Sequence, residues 1–314
     1  IEPENTELLG EVAKAYESIG KWSKVIQTLT RLCDLADGSE GAREALRHIG
    51  RIYEEQLELP DRAIVAYSRL LGEWHRDEDA FHALDRLYQQ YARWEDLDAI
   101  LRQRAAIVRE PEARAALLHR RAKIMLEWLN APDDAAAALR HARTIDPENR
   151  ELADDLMDAL TKAGRHREAS SVLEGRIARL RDGGDENRAA GGEIAALLIR
   201  LGALRGDSLS DPIGAKQVLQ EALDLVPSHP TALATLARLT SAEMDPCAHA
   251  EAKLLEAAAL EDVDAKVDAL LDAGQSFRDG RDHAAARSAF EEILALRPYH
   301  AESTWALAAL VEEG

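Results

Sequence analysis

Apolar residues return along this chain at helical spacing, in blocks separated by short polar or glycine-containing turns, and the blocks come in pairs. The first block of a pair is clearest in Leu46-x-x-Ile49-Gly50-x-x-Tyr53, Leu198-x-x-Leu201-Gly202-x-x-Arg205 and Leu270-x-x-Ala273-Gly274-x-x-Phe277. The second block carries an alanine followed four residues later by an aromatic or leucine: Ala63/Tyr67, Ala215/Leu219 and Ala286/Phe290. Pro147, Pro227 and Pro298 close three of the copies. The pattern predicts helix-turn-helix units from end to end.

One small-residue position per unit measures the period: Ala13, Gly50, Asp85, Ala122, Met157, Gly202, Ala237 and Gly274. Successive intervals are 37, 35, 37, 35, 45, 35 and 37, so two units span 72 residues and one interval is eight too long. The excess belongs to the glycine-rich residues 181–192, read as a hinge or as a longer turn. In even units an extra residue separates the two helices, and Pro60, Pro132 and Pro212 open the second helix, where proline lacks no needed N–H. In odd units the turn to the next unit is expected to be longer, as at Asp37–Gly41.

These residues resemble the tetratricopeptide repeat, with its W-x2-L-G-x2-Y…A-x3-F…P pattern and period near 34 residues. The resemblance implies an all-α chain: a right-handed superhelical solenoid of about eight helix-turn-helix repeats plus one extra C-terminal helix. Residues 1–182 would hold repeats one to five, 183–192 the insert or hinge, and 193–314 repeats six to eight with the terminal helix. Small residues at Ala13, Gly50, Ala122, Gly202 and Gly274 would let the helices of a repeat approach. Tyr16, Tyr53, Tyr88, Leu173 and Phe277 would fill the space between repeats. Asp85, Arg205 and Thr240 depart from the pattern, most visibly in the third and seventh repeats. The opening Ile1–Asn5 matches Ile145–Asn149, and residues 301–314 read as a first helix without a second, so the chain is expected to be an excerpt of a longer protein.

Composition narrows the function classes. With 46% apolar and 31% charged residues the chain has ample core for a helical protein, and no apolar run reaches membrane length. A net charge of −19 disfavours nucleic acid as partner, because such binders carry a basic footprint. Cys33 and Cys247 lie in distant repeats that cannot touch, so no disulfide is expected and a reducing cytoplasm is favoured. Abundant alanine and arginine suggest a bacterial source.

In the family, the residues three before and one after the small position line the concave groove. Here they read Gly10/Lys14, Arg47/Arg51, His82/Arg86, His119/Lys123, Asp154/Asp158, Ile199/Ala203, Ala234/Arg238 and Leu271/Gln275: basic, then acidic, then largely apolar. Like charges at i,i+4 repel by a few tenths of a kcal/mol, so a basic row suggests an acidic peptide or protein held by repeats one to four. The alternative is a self-neutralised face, with Glu17, Glu54, Glu55 and Glu127 pairing along their own helices and Arg86 left over. The apolar stretch could receive a partner helix or be covered by the chain itself.

Other chemistries find no support in the sequence. The asparagine that a carboxylate clamp needs is replaced by Lys14, Arg51, Arg86 or Lys123, and Asn5, Asn130, Asn149 and Asn187 fall in turns or the insert. No metal-ligand spacing, phosphate loop or nucleophile elbow occurs, so no catalytic residue, cofactor or metal is expected. Trp22 and Trp94 occupy matching places 72 residues apart and read as packing. The expected function is a non-catalytic scaffold for a protein or peptide, or else a structural, self-associating arm of a larger protein.

Overall fold

A computed structural model describes residues 6–36, 38–182, 191–242 and 245–313. Among the described residues every regular element is helical. The first helices of successive repeats are α1 (Thr6–Ser18), α3 (Glu40–Arg51), α5 (Glu78–Gln90), α7 (Pro111–Glu127), α9 (Arg150–Lys162), α11 (Gly191–Asp207), α13 (Pro230–Ala242) and α15 (Val263–Asp279). Their partners are α2 (Trp22–Leu35), α4 (Pro60–Glu73), α6 (Trp94–Ile107), α8 (Pro132–Ile145), α10 (His166–Asp182), α12 (Pro212–Leu225), α14 (Pro246–Ala259) and α16 (His283–Leu296). A final unpaired first helix, α17 (Ala301–Glu313), follows. This is the all-α tandem-hairpin architecture that the periodicity predicts, and the third and seventh repeats form despite their departures.

Part of the 72-residue alternation is as expected, since α4, α8 and α12 begin ten residues after their small positions and α2, α6 and α10 nine; the other part has a different local cause. Helix starts Thr6, Glu78 and Arg150 precede their small positions by seven residues, whereas Pro111, Gly191 and Val263 precede theirs by eleven. Even repeats therefore gain a helical turn at the start of the first helix, where the sequence reading placed a longer turn in the preceding connection. Helix closes its own backbone hydrogen bonds, so alanine-bearing stretches such as Glu40–Arg43 continue the helix, with the Ser39 hydroxyl accepting the Ala42 N–H at 3.1 Å. The prolines behave as expected: Pro60, Pro132 and Pro212 each occupy the first turn of a second helix.

The connection inside a repeat needs a left-handed residue. Gly20, Ala92 and Gly164 supply it at 72-residue intervals in odd repeats, with φ of 68°, 52° and 71°. Glu58, Asn130, Ser210 and Arg281 supply it in even ones. At Gly20 and Ala92 the bend is a helix cap in which Lys21 N–H and Arg93 N–H reach back to the carbonyls of Tyr16 and Tyr88.

The chain divides into two compact units, Ile1–Ala163 and Gly164–Gly314. In the first, one apolar cluster runs from Ala13 through Leu46, Tyr67 and Leu84 to Ile124. In the second, a cluster gathers Ala250, Val267, Leu270, Phe290 and Leu310. A Cβ at Gly50 would lie 2.5 Å from the Tyr67 ring, one at Gly202 2.7 Å from Leu219, and one at Gly274 2.5 Å from Phe290. The small residue of the first helix thus receives the large residue of the second, as the motif requires. Cys33 and Cys247 are both unbridged, and burial pushes the Cys33 thiol up to about 11. The matching openings at Ile1–Asn5 and most of the expected hinge, residues 183–190, lie outside the described residues.

Candidate functional site

In the first unit the two groove positions of the first helices fall on a face crossed by ion pairs. Arg47 reaches forward from α3 to Asp77 at 2.7 Å and Asp79 at 3.1 Å. Arg86 on α5 reaches back to Glu54, which also accepts a hydrogen bond from the Tyr67 hydroxyl. His119 on α7 meets Asp155 at 2.6 Å, and Lys123 meets Glu151 at 2.6 Å, both acids lying on α9. His82 stands 3.9 Å from Glu78 on its own helix. Lys14 and Arg51 are exposed and have no ion-pair partner among the described residues.

Neutralisation therefore occurs, but between repeats and not along the helices where it was expected. Glu54 serves Arg86 of the next repeat instead of Arg51, and Arg86, the residue expected to be left over, is paired. The cause is reach. Side chains at i and i+4 on one helix neighbour each other, but a long cation on the adjacent first helix finds a carboxylate of the neighbouring repeat within the same reach. Asp155 and Glu151 were not singled out in the sequence because their partners lie 36 and 28 residues away; a search for opposite charges at about one repeat period would have found them.

The acidic and apolar positions fare differently. Asp154 is half-buried and Asp158 exposed, and both already interact with neighbouring groups. Ile199 is buried and Leu271 is half-buried against the second unit's core. Ile199 is thus a core residue, not groove surface, whereas Ala203 is half-buried and Ala234 exposed, so internal packing consumes the apolar stretch only in part. Arg238 pairs with Asp207 of the preceding repeat at 2.5 Å.

Two carboxylates anchor the first unit from within. Asp77 is fully buried; it caps α5 by accepting the Ala80 N–H at 2.9 Å and takes guanidinium N–H bonds from Arg43 and Arg47 at 2.7 Å. Burial alone would raise its pKa, but the cap and the two guanidiniums outweigh burial and hold the carboxyl below the ordinary aspartate range. Asp98 on α6 is buried between Arg102 of its own helix and Arg121 of α7, at 2.9 and 2.8 Å. The departures from the motif are paired too. Asp85 takes a two-pronged bond from Arg120 at 2.6 and 3.0 Å, and the buried Thr240 hydroxyl donates to the Ala237 carbonyl at 2.8 Å.

His119, Glu151 and Asp155 bring three possible metal-ligand atoms within 4.8 Å of one another, a juxtaposition no sequence spacing announced. The Lys123 ammonium, 2.6 Å from Glu151 and 4.0 Å from Asp155, already supplies positive charge there. The cluster is explained as a four-membered ion-pair network. Trp94 packs at the start of α6 and stacks on Trp128 with ring centroids 4.5 Å apart, in keeping with a packing role. Asn130 and Asn149 sit in turns, the latter capping α9. No helix among the described residues is long and apolar enough to cross a membrane.

Comparison with known proteins points the same way. Residues 268–298, covering most of α15 and all of α16, match the model of the tetratricopeptide repeat. No curated protein matches the chain. Among solved structures, the C-terminal part of a TPR repeat-containing protein from Cytophaga hutchinsonii is similar over 83% of this chain and 99% of its own, with a TM-score of 0.50 and 15% identity. A signal-transduction ATPase with a tetratricopeptide-repeat sensor from Pyrococcus horikoshii is similar over 100% of this chain and 50% of its own, at 14% identity and a TM-score of 0.43. The first of these supports the fold.

Proposed function

We propose that this chain, which has the fold of tetratricopeptide-repeat proteins, is a non-catalytic scaffold that holds a protein or peptide partner along its row of first helices, with an acidic segment bound at the first repeats. The fold is in general one for protein–protein interaction: stacked hairpins present the same two surface positions again and again, which suits an extended ligand. The observation that carries the reading is the state of the basic row. Arg47, Arg86, His119 and Lys123 already have internal carboxylates, whereas Lys14 and Arg51 stand exposed without one. An incoming carboxylate gains most at those two, because it displaces no existing pair. The paired cations contribute less, each exchanging one carboxylate for another.

Peptide-library capture by the intact chain, at low and high salt, tests this. Acidic peptides retained at low salt, released at high salt and lost from a Lys14→Glu/Arg51→Glu variant of unchanged helicity support the reading. Equal capture by both proteins, or no acidic enrichment, overturns it.

A second reading, a self-associating structural arm, rests on the exposed aromatic groups at the last hairpin. Trp305 on α17 is 78% exposed and Tyr299 just before it 98%. Sedimentation across a concentration series decides: a dimer that Trp305→Glu dissociates favours the arm, and a monomer at all concentrations removes it.

A further inference from the structure

Where α4 ends and α5 and α6 pack beside it, the first unit has a hollow of about 380 Å³, walled by Leu71, His75, Phe81, Ile100, Arg104 and Ile107. Its floor is apolar: Leu71, Phe81 and Ile100 are buried, and at its edge the Arg104 guanidinium lies over the Phe81 ring, its carbon 5.3 Å from the centroid. The volume falls in the range of pockets that enclose a small ligand or a large side chain. None of the first-helix groove positions lines it.

On the surface adjoining the hollow, cations outnumber carboxylates by three to two. A second, shallower depression shares Arg104 and Ile107 with the hollow and is edged by Arg76, Arg109, Glu78 and Glu110. Arg104 already neutralises Glu78, while Arg76 and Arg109 are exposed and have no ion-pair partner among the described residues. Two unpaired guanidiniums therefore stand beside an apolar socket in a chain whose net charge is −19. Local positive potential held against such a background favours an anionic visitor, and the socket favours an apolar one.

We propose that this hollow is a docking socket for an acidic peptide segment, which buries one large apolar side chain against Leu71, Phe81 and Ile100 while its flanking carboxylates pair with Arg76 and Arg109. The proposal rests on the reading of the chain as an interaction scaffold, but places a contact on the α4–α6 side, apart from Lys14 and Arg51. Burying an aromatic anchor in a desolvated pocket, with charge pairs at the rim, is the arrangement in which a few residues carry most of an interface's binding energy.

Gly72 makes the test specific. It lines the hollow from α4, and a Cβ built there meets nothing within 4 Å, so a leucine would project into open space without straining the helix. The probes are three dye-labelled peptides: one tryptophan flanked by glutamates, the same peptide with alanine for tryptophan, and the same with lysines for the glutamates. Fluorescence polarisation with the full chain reads their affinities. The tryptophan–glutamate peptide is expected to bind at least about tenfold more tightly than either control. Gly72→Leu and Arg76→Glu/Arg109→Glu should each weaken it about tenfold with circular dichroism unchanged, and Lys14→Glu/Arg51→Glu should not. Binding that ignores the tryptophan, or survives Gly72→Leu, overturns the socket. So does an absence of binding. Loss of binding in Lys14→Glu/Arg51→Glu alone overturns the socket while leaving the first-helix row standing. Retention by the socket with no library capture at the first-helix row has the converse meaning.

Discussion

At Gly50 the van der Waals limit is already reached: the Tyr67 ring lies where a methyl would go, 2.5 Å from an added Cβ. Gly50→Ala must push a buried ring out of its packed place, and overpacking of this kind costs about 1–3 kcal/mol. Gly72, with open space around it, is the internal control: Gly72→Ala should stabilise by up to about 1 kcal/mol through helix propensity. Urea unfolding of the two variants should therefore move in opposite directions. The left-handed positions give a third residue-scale test. Ala92 holds φ of 52°, a conformation that Gly20 and Gly164 adopt without a Cβ penalty in the equivalent turns. Ala92→Gly is expected to stabilise by about 0.5–1 kcal/mol, relief of the left-handed strain exceeding the added unfolded-state entropy. A decrease in the urea midpoint would refute that balance.

Elements in the first unit are joined by buried carboxylates as well as by apolar contact. Asp77 fastens the start of α5 to α3, and its folded pKa is depressed. A depressed carboxyl contributes stability that is fully present above the unfolded aspartate pKa of about 4 and is lost as pH falls through the folded value. Asp77→Asn should therefore be less stable than the parent at neutral pH, with the gap closing as pH is lowered below about 4; a gap independent of pH would show that the charge contributes nothing. Between α5 and α7 the half-buried Asp85–Arg120 pair is measurable by a double-mutant cycle. Coupling of about 0.5–1 kcal/mol, diminished by salt, is expected. Asp85→Ala alone restores the family's small residue yet strands Arg120, so the single substitution tests which of the two matters more.

Across the whole molecule the same economy of neighbours applies. Within each unit a repeat buries its apolar face against the next, so energetic effects spread by contact and fade with distance along the chain. Native-state hydrogen exchange should register this in Gly50→Ala: faster exchange in α2, α3 and α4, and rates in α12, α15 and α16 indistinguishable from the parent. Uniform acceleration over all helices would mean that the chain unfolds as one cooperative body instead. Small residues on first helices face large ones on second helices within each unit, as at Gly50/Tyr67 and Gly202/Leu219, and the surface positions left over are what a partner meets.

Periodic residues carried the fold in plain sight. Gly50, Gly202 and Gly274, their partners Tyr67, Leu219 and Phe290, and the prolines opening α4, α8 and α12 are local signals, each meaning the same thing in every copy. The extra helical turn of the even repeats was not legible, since a polar stretch such as Glu40–Arg43 suits a turn as well as a helix until its neighbours close around it. The charge pattern was legible only in part. Which residues are basic follows from the chain itself, but that Arg86 takes Glu54 and His119 takes Asp155 depends on the stacking of one repeat on another. The hollow beside Phe81 is further still from the sequence, being a space that three helix ends leave between them. Sequence alone determined the repeat, its helices and its small-to-large packing, because these depend on spacing within one hairpin. Tertiary structure alone decided which cations remain unpaired and where a side chain can enter, because those depend on distances between hairpins that no local spacing encodes.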